Sequence, residues 1–307
     1  MSLLILMPGR DTAVLEETLR TRAPELVFEV WPEVGDPAAV EMAVVWNHPP
    51  GELLRYPRLE VVCSYGAGVD HLLRDPALPE TVEIVRVVDP ELIRDMVEYV
   101  VGAVCSWRRG FALYRDQQRL RSWRPHDYGR SRRALVLGAG ELGGAVAEGL
   151  AAVGFTVTCW ATRPGRRRGL VVVAGRPELE AALPGADVVV CLLPLTPATD
   201  GLLGAPLFAA MKPGALLVNV GRGRHLVVAD LLAALDGGRP GAAWLDVFDP
   251  EPLLEASPLW SHPAVTVTPH VASLTDPRAV AGLILAVWQR HRAGEPLPHR
   301  VDRGRGY

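Results

Sequence analysis

Three glycines, Gly138, Gly140 and Gly143, limit what this chain can fold into more than any other feature. They are spaced G-x-G-x-x-G, directly follow the apolar run 134–137, and open a segment rich in small residues, among them Gly144, Ala145 and Ala147. A strand before such glycines and a helix after them is the context of a dinucleotide-binding turn. The first glycine permits the tight turn, the second lets a pyrophosphate approach the backbone, and the third lets helix and strand pack closely. Glu141 and Leu142 then stand at the helix N-terminus, where N–H groups and the helix dipole favour an anion.

The rest of the chain repeats the same alternation. Apolar runs at 3–7, 26–30, 43–46, 61–65 and 83–87, each followed by a Gly, Pro or polar turn, predict five strands of one α/β unit. From about 90 to 120, Val97, Val100, Val101, Val104 and Trp107 recur at spacings near three and four and predict one long bridging helix. Runs at 134–137, 156–160, 188–192, 215–218, 242–245 and 265–268 predict a second, six-stranded unit. At 307 residues the chain exceeds a typical domain of about 100 to 200, so two doubly wound parallel-sheet domains are expected. The last helical stretch, roughly 276–292, has no further strand to serve in the second unit. It is expected to return to the first, giving a discontinuous domain of 1–95 with 272–307 around a second of 96–271. The basic loop 163–168 and the tail 300–307 are expected to be mobile.

A net charge of −3 and a pI near 6.3 give no broad cationic surface, so neither nucleic acid nor a membrane is an expected partner. No run approaches the roughly 20 apolar residues of a bilayer span. Residues 3–7, with no basic segment before them and Pro8-Gly9 after, read as a first strand and not a signal peptide. Cys63, Cys105, Cys159 and Cys191 lie far apart without ligand spacing, so buried reduced thiols, no metal site and a cytoplasmic setting are expected.

The strand after the glycines discriminates between cofactors. Chains that bind NAD usually place an acidic residue about 20 positions on, against the ribose hydroxyl. Here Trp160 is followed by Ala161, Thr162 and Arg163, then by Arg166, Arg167 and Arg168. Cations there suit a 2′-phosphate, so NADPH is the expected cofactor, with Arg163 its contact and NADH a weaker substitute. A plain solvated basic loop is the competing reading.

Three further strand ends carry chemistry. Gly66-Ala67-Gly68 has no third glycine, and Asp70, where a helix would begin, would repel a diphosphate. Backbone N–H groups there suit a single carboxylate, unless this is an ordinary turn capped by Asp70. Arg222, between Gly221 and Gly223, sits where open α/β sheets bind ligands and can grip a planar carboxylate in two places. His270 follows Pro269 at one strand end, and Glu251 lies just past another. Reducing a ketone puts a proton on oxygen, which a histidine can hold near neutrality, and a carboxylate beside it stabilises the imidazolium. Singly, each is ambiguous: a lone histidine after proline is more often structural, and Glu251 alone reads as a surface acid.

In their order, residues 219–223, 246–253 and 269–270 match the pattern N-x-x-R-G, D-V-F-x-x-E-P-L, P-H of the D-2-hydroxyacid dehydrogenase family. The chain resembles that family over nearly its whole length, including 64–70, 192–197 and 257–260. The resemblance implies a Rossmann NAD(P)-binding domain and a flavodoxin-like substrate domain. It also implies that Arg222 binds and polarises the substrate, that His270 is the acid or base, and that Glu251 orients His270. Cofactor contacts are implied at Leu193, Pro194, Thr196, Val220 and Gly221, with Asp246 holding the nicotinamide carboxamide. Substrate contacts are implied at Trp46, Tyr65, Gly66, Ala67 and Gly68, and a homodimer is implied around the long helix. The short chain, Cys159-Trp160, Val45-Trp46 and the ending 301–307 are most similar to the subgroup that reduces glyoxylate and hydroxypyruvate with NADPH. That subgroup has Ser-Arg where this chain has Ala161-Thr162, its arginine displaced to Arg163. Two rivals use the same residues. One is an NAD-dependent dehydrogenase of another D-2-hydroxy acid such as phosphoglycerate, whose substrate phosphate needs extra cations near Trp46 and Gly66, where none is obvious apart from Arg55 and Arg58. The other is a nucleotide-sensing binding module or corepressor, because a fold does not fix a function.

Overall fold

A computed structural model describes every residue except Met1, Tyr128 and Arg168, and Arg167 by its backbone alone. The chain begins with β1 (Ser2–Leu6), α1 (Ala13–Arg22), β2 (Phe28–Val30), β3 (Val40–Val45), β4 (Val61–Ser64), the single turn α2 (Asp70–Leu73) and β5 (Glu83–Arg86). Two helices follow, α3 (Pro90–Arg108) and α4 (Phe111–Arg119). Then come β6 (Arg133–Leu137), α5 (Glu141–Ala152), β7 (Thr156–Trp160), β8 (Gly165–Arg167), β9 (Leu170–Val173), α6 (Arg176–Ala182) and β10 (Val188–Cys191). The chain ends with α7 (Ala205–Ala210), β11 (Leu216–Asn219), α8 (Val228–Asp236), β12 (Ala242–Leu245), β13 (Val265–Val267) and α9 (Pro277–Ala293). It divides into two compact units, Met1–Leu92 with Leu274–Tyr307, and Ile93–Ser273.

The first unit is a parallel sheet in the order β2-β1-β3-β4-β5, the flavodoxin-like arrangement. Side chains alternate across a strand, so Leu3 and Ile5 enter one core with Met42 and Val44, while Leu4 and Leu6 enter the opposite one with Ala43 and Val45. Strands buried on both faces have no polar side to show, which is why they read as unbroken apolar runs. Helix α9 packs on α1 and fills the first of these cores with Val280, Ile284, Val287 and Trp288. The expectation of a mobile tail is corrected. The Val301 N–H donates to the Ile84 carbonyl at 2.8 Å, and the Arg303 guanidinium donates to the carbonyls of Pro79 and Val82, which pins the tail beside β5.

The second unit is a sheet in the order β13-β12-β11-β10-β6-β7-β9-β8, parallel except where β8 meets β9. Numbering β6, β7, β9, β10, β11 and β12 as one to six gives the 3-2-1-4-5-6 order of a Rossmann domain. Ala134 and Val136 enter one core and Leu135 and Leu137 the other. The six-strand expectation is corrected to eight. Leu170–Val173 is a four-residue run hidden behind arginines, and residues 165–167 of the loop expected to be mobile form the outermost strand. Charged residues are favoured on such an edge because they discourage further pairing. Arg168, named with that loop, lies outside the described residues. The single helix expected over 90–120 is also corrected. Gly110 adopts a left-handed conformation (φ 66°) and ends α3 after Arg108. Whereas α3 buries Met96, Val100 and Val104, α4 has no buried residue.

Candidate active site

In the second unit the candidate residues leave the carboxyl ends of adjacent parallel strands. Gly138 to Gly143 follow β6, Ala161 to Arg163 follow β7, and Leu193, Pro194 and Thr196 follow β10. Val220, Gly221 and Arg222 follow β11, Asp246 follows β12, and His270 follows β13. A methyl group on Gly143 would stand 2.2 Å from the Gly138 carbonyl oxygen, so α5 approaches β6 as closely as glycine allows. A methyl on Gly140 would meet nothing within 4 Å. That open space lies at the head of α5, which no side chain caps, and it fits a diphosphate on the helix N-terminus. Arg163 is exposed just beyond β7.

His270 and Glu251 meet. Imidazole Nδ1 donates to Glu251 Oε2 at 2.7 Å, and both side chains keep over a third of their surface exposed, 38% and 36%. Because a carboxylate accepts at Nδ1, that nitrogen carries the proton and Nε2 is left for a ligand. His270 itself has φ 54°, a conformation that histidine adopts more readily than most residues, and its N–H donates to the Asp246 carbonyl at 2.9 Å. Glu251 Oε1 accepts from the Phe248 N–H at 2.9 Å. Burial pushes the Glu251 carboxyl up, but the hydrogen bonds from His270 and Phe248, with the charges of His270 and Arg222, outweigh it and hold the group below its ordinary value. Arg222 therefore lies close enough to act electrostatically on the pair. Gly223 explains the proximity: a methyl there would be 1.9 Å from the Phe248 backbone, so the arginine turn lies directly against the segment that leads to Glu251.

Sequence reasoning missed the residues that hold this constellation. Asp246, read as a carboxamide ligand, is 1% exposed and its carboxylate accepts from Thr268 Oγ1 (2.6 Å), Val271 N–H (2.9 Å) and Ala272 N–H (2.8 Å). It thereby clamps the turn that carries His270. Thr268 also bonds the Tyr99 hydroxyl, which accepts from Trp244 Nε1 at 2.9 Å. Burial pushes the Tyr99 phenol up to about 12. Buried His225 accepts the Arg222 N–H at Nδ1 (3.0 Å) and turns Nε2 to the Pro194 carbonyl, which ties the turns after β10 and β11 together.

In the first unit Trp46 follows β3, and Tyr65 with Gly66, Ala67 and Gly68 follows β4. The Trp46 ring lies on Gly66, where a methyl would stand 2.8 Å from ring carbon Cζ3, and tilts against His71 at 4.9 Å between centroids. The loop after Trp46 is anchored by His48 Nε2 to Asp75 at 2.9 Å, both groups buried. Asp70 does not cap its turn: α2 has no side-chain cap, and the Asp70 carboxylate faces Arg74 at 3.3 Å. The two cations named for this region are each paired with an acid. Arg55 pairs with Glu52 and Arg58 with Glu41, whereas Arg10, unremarked in the sequence, stands over Trp46. Cys63, Cys159 and Cys191 are buried, Cys105 is partly so, and no disulfide joins any of the four; burial pushes the Cys63 and Cys191 thiols up to about 12.

A Rossmann sheet with room for a diphosphate at its glycine turn, and a histidine–carboxylate pair at a neighbouring strand end, is the frame of a nicotinamide-dependent oxidoreductase. Residues 101–272 match the family model described as D-isomer specific 2-hydroxyacid dehydrogenase, NAD binding domain. The fold matches a D-isomer specific 2-hydroxyacid dehydrogenase from Xanthobacter autotrophicus Py2, solved with NADPH and MES, at 37% identity and TM-score 0.94, over 100% of this chain and 99% of that one. It also matches the NADPH-dependent glyoxylate/hydroxypyruvate reductase of Sinorhizobium meliloti, solved with NADP and sulfate, at 35% identity and TM-score 0.93 over 100% of both chains. A probable 2-hydroxyacid dehydrogenase from Rhizobium etli CFN 42, solved with NADP, HEPES and L(+)-tartaric acid, matches at 31% identity and TM-score 0.91, again over 100% of both chains. The chain belongs to the D-isomer specific 2-hydroxyacid dehydrogenase family, and its cofactor is a nicotinamide dinucleotide.

Proposed function

We propose that the chain reduces small 2-oxo acids, glyoxylate and hydroxypyruvate among them, to the corresponding 2-hydroxy acids with NADPH. The observation that carries this reading is the 2.7 Å bond between His270 and Glu251, with the Arg222 charge beside it. When bound, the nicotinamide supplies a hydride to the substrate's C2. His270, held at Nδ1 by Glu251, turns Nε2 to the ketone oxygen and delivers a proton there. Glu251 stabilises the imidazolium before that transfer and fixes the ring during it. Arg222 binds the substrate carboxylate and draws charge toward the carbonyl oxygen. Trp46, Tyr65 and the backbone of 66–68 are assigned to the substrate from the first unit, and 1–95 with 272–307 is read as the substrate domain.

The name of the Sinorhizobium meliloti relative supports the substrate class, and the NADPH and NADP of the relatives' structures support the cofactor. Arg163 at the end of β7, with no acid among the residues that follow Trp160 directly, favours a 2′-phosphate over a bare ribose. Phe111, Leu113, Tyr114, Leu120 and Trp123 are all exposed on and after α4, an apolar patch that supports a homodimer. Four cysteines without a disulfide among them support a reducing, cytoplasmic setting. Loss of nicotinamide absorbance on mixing the protein with NADPH and glyoxylate or hydroxypyruvate tests the reading. Turnover with at least one acid, faster than with NADH, is expected, and no turnover with either would refute it.

A further inference from the structure

Arg10 emerges from a tight turn at the end of β1. Pro8 and Gly9 occupy its corner, Gly9 with φ 74°, and the Arg10 N–H closes it on the Met7 carbonyl at 3.1 Å. The guanidinium carbon stands 4.9 Å from the Trp46 ring centroid and 5.7 Å from that of Tyr65. These three residues follow β1, β3 and β4, which are adjacent in the sheet. In the order β2-β1-β3-β4-β5 the chain winds away in opposite directions from β1 and from β3, so the crevice between their carboxyl ends is where such a sheet takes a ligand.

The guanidinium also keeps its charge uncompensated by an ion pair among the described residues. Arg20, Arg55, Arg58, Arg74, Arg300 and Arg305 each pair with an acid. Arg10 is exposed and makes no ion pair among the described residues. The acid whose charge is felt at Tyr65 is Asp276, and its carboxylate is turned to the Arg278 N–H at the head of α9 (3.0 Å). Contact with aromatic rings orients a guanidinium without consuming its N–H donors, and that planar fork matches the two oxygens of an oxyanion.

We propose that Arg10 is a specificity-determining residue that selects 2-oxo acids carrying a second oxyanion, a carboxylate or phosphate at the end remote from the keto acid. This rests on the reading that Trp46 and Tyr65 face the substrate. The second oxyanion binds the Arg10 fork at the β1/β3 crevice. Glyoxylate and pyruvate have no second oxyanion to offer it.

The test is kcat/KM of the whole enzyme with NADPH for glyoxylate, pyruvate, oxaloacetate and 3-phosphohydroxypyruvate, in the wild type, Arg10→Met and Arg10→Lys. The wild type is expected to favour at least one dianion over pyruvate, and the two dianions separate a carboxylate site from a phosphate site. Arg10→Met should lower the ratio of dianion to glyoxylate kcat/KM by about ten- to a hundredfold, the worth of a charge-assisted hydrogen bond. Arg10→Lys, which keeps the charge and most of the stem, should recover part of that ratio and serves if the methionine variant does not fold. An unchanged ratio in the folded variants overturns the proposal, as does a wild type that prefers pyruvate to both dianions. A wild type that reduces none of the four acids refutes the enzymatic reading itself, a separate outcome from failure of Arg10 selection.

Discussion

Replacing Glu251 with glutamine removes one charge and almost no volume, and so isolates what the carboxylate does for His270. The single amide oxygen can take the place of Oε2 and accept from imidazole Nδ1, so the ring should keep its orientation, while the Phe248 N–H loses the second oxygen to which it donates. For His270, what disappears is the attraction between imidazolium and carboxylate. Two unit charges about 4 Å apart interact by about 4 kcal/mol at an effective dielectric of about 20 and about 1 kcal/mol in water. With 38% and 36% of the two side chains exposed, solvent screens the pair substantially, and a value near 2 kcal/mol is appropriate. At about 1.4 kcal/mol per tenfold, that is a fall in kcat of about thirtyfold at neutral pH. Steady-state kinetics with NADPH and the best 2-oxo acid would measure it, with a fluorescence titration of NADPH alongside. The cofactor dissociation constant should move by less than about twofold, because Glu251 lies past β12 and away from the glycine turn. A kcat within twofold of wild type would refute the argument that the carboxylate loads the proton donor.

Gly143→Ala sets a methyl 2.2 Å from the Gly138 carbonyl, and backbone cannot move aside cheaply. NADPH affinity should fall more than about tenfold and stability by about 1–3 kcal/mol, read by titration and thermal unfolding. Thr268→Val leaves Asp246 and Tyr99 each short of a partner, which should destabilise by about 1–3 kcal/mol and lower kcat more than it raises KM. Arg163→Ala should cut the preference for NADPH over NADH about tenfold, measured as a ratio of kcat/KM, and an unchanged ratio would place the 2′-phosphate contact elsewhere. Burial pushes the Asp187 carboxyl up, but Lys212 Nζ (2.6 Å), Arg133 N–H (2.8 Å) and Ser131 Oγ (2.7 Å) together hold it below its ordinary value. A depressed carboxyl stabilises the fold fully above its unfolded pKa of about 3.9, and that contribution is lost as pH falls through the lower folded value. Urea unfolding should therefore show wild type weakening below about pH 4 more steeply than Asp187→Asn, and parallel curves would contradict the sign.

What was legible in the sequence followed from burial, and what was hidden followed from adjacency. Strands such as Ser2–Leu6 and Val188–Cys191 are buried on both faces, so their apolar runs could be read directly. Leu170–Val173 has a buried, an exposed and two intermediate residues at a sheet margin, and beside a run of arginines it carried no comparable signal. The break at Gly110 was masked because Phe111, Leu113 and Tyr114 continue an apolar pattern on a helix with no buried residue. His270 and Glu251 became interpretable through their order along the chain, but the Thr268–Tyr99 bond joins residues 169 positions apart and no motif announces it.

Arg10 marks the sharpest limit of that reading. In the sequence it is one more charge in a polar turn, and the ordinary expectation for such a residue is water. Its meaning comes from the placement of β3, not β2, on the far side of β1, because that placement brings Trp46 under the guanidinium. Strand positions follow from local hydrophobicity, whereas strand order is settled by packing across the whole sheet. Residues gathered at a switch point by strand order alone are therefore the ones whose substitution should alter substrate choice while leaving little trace in a motif.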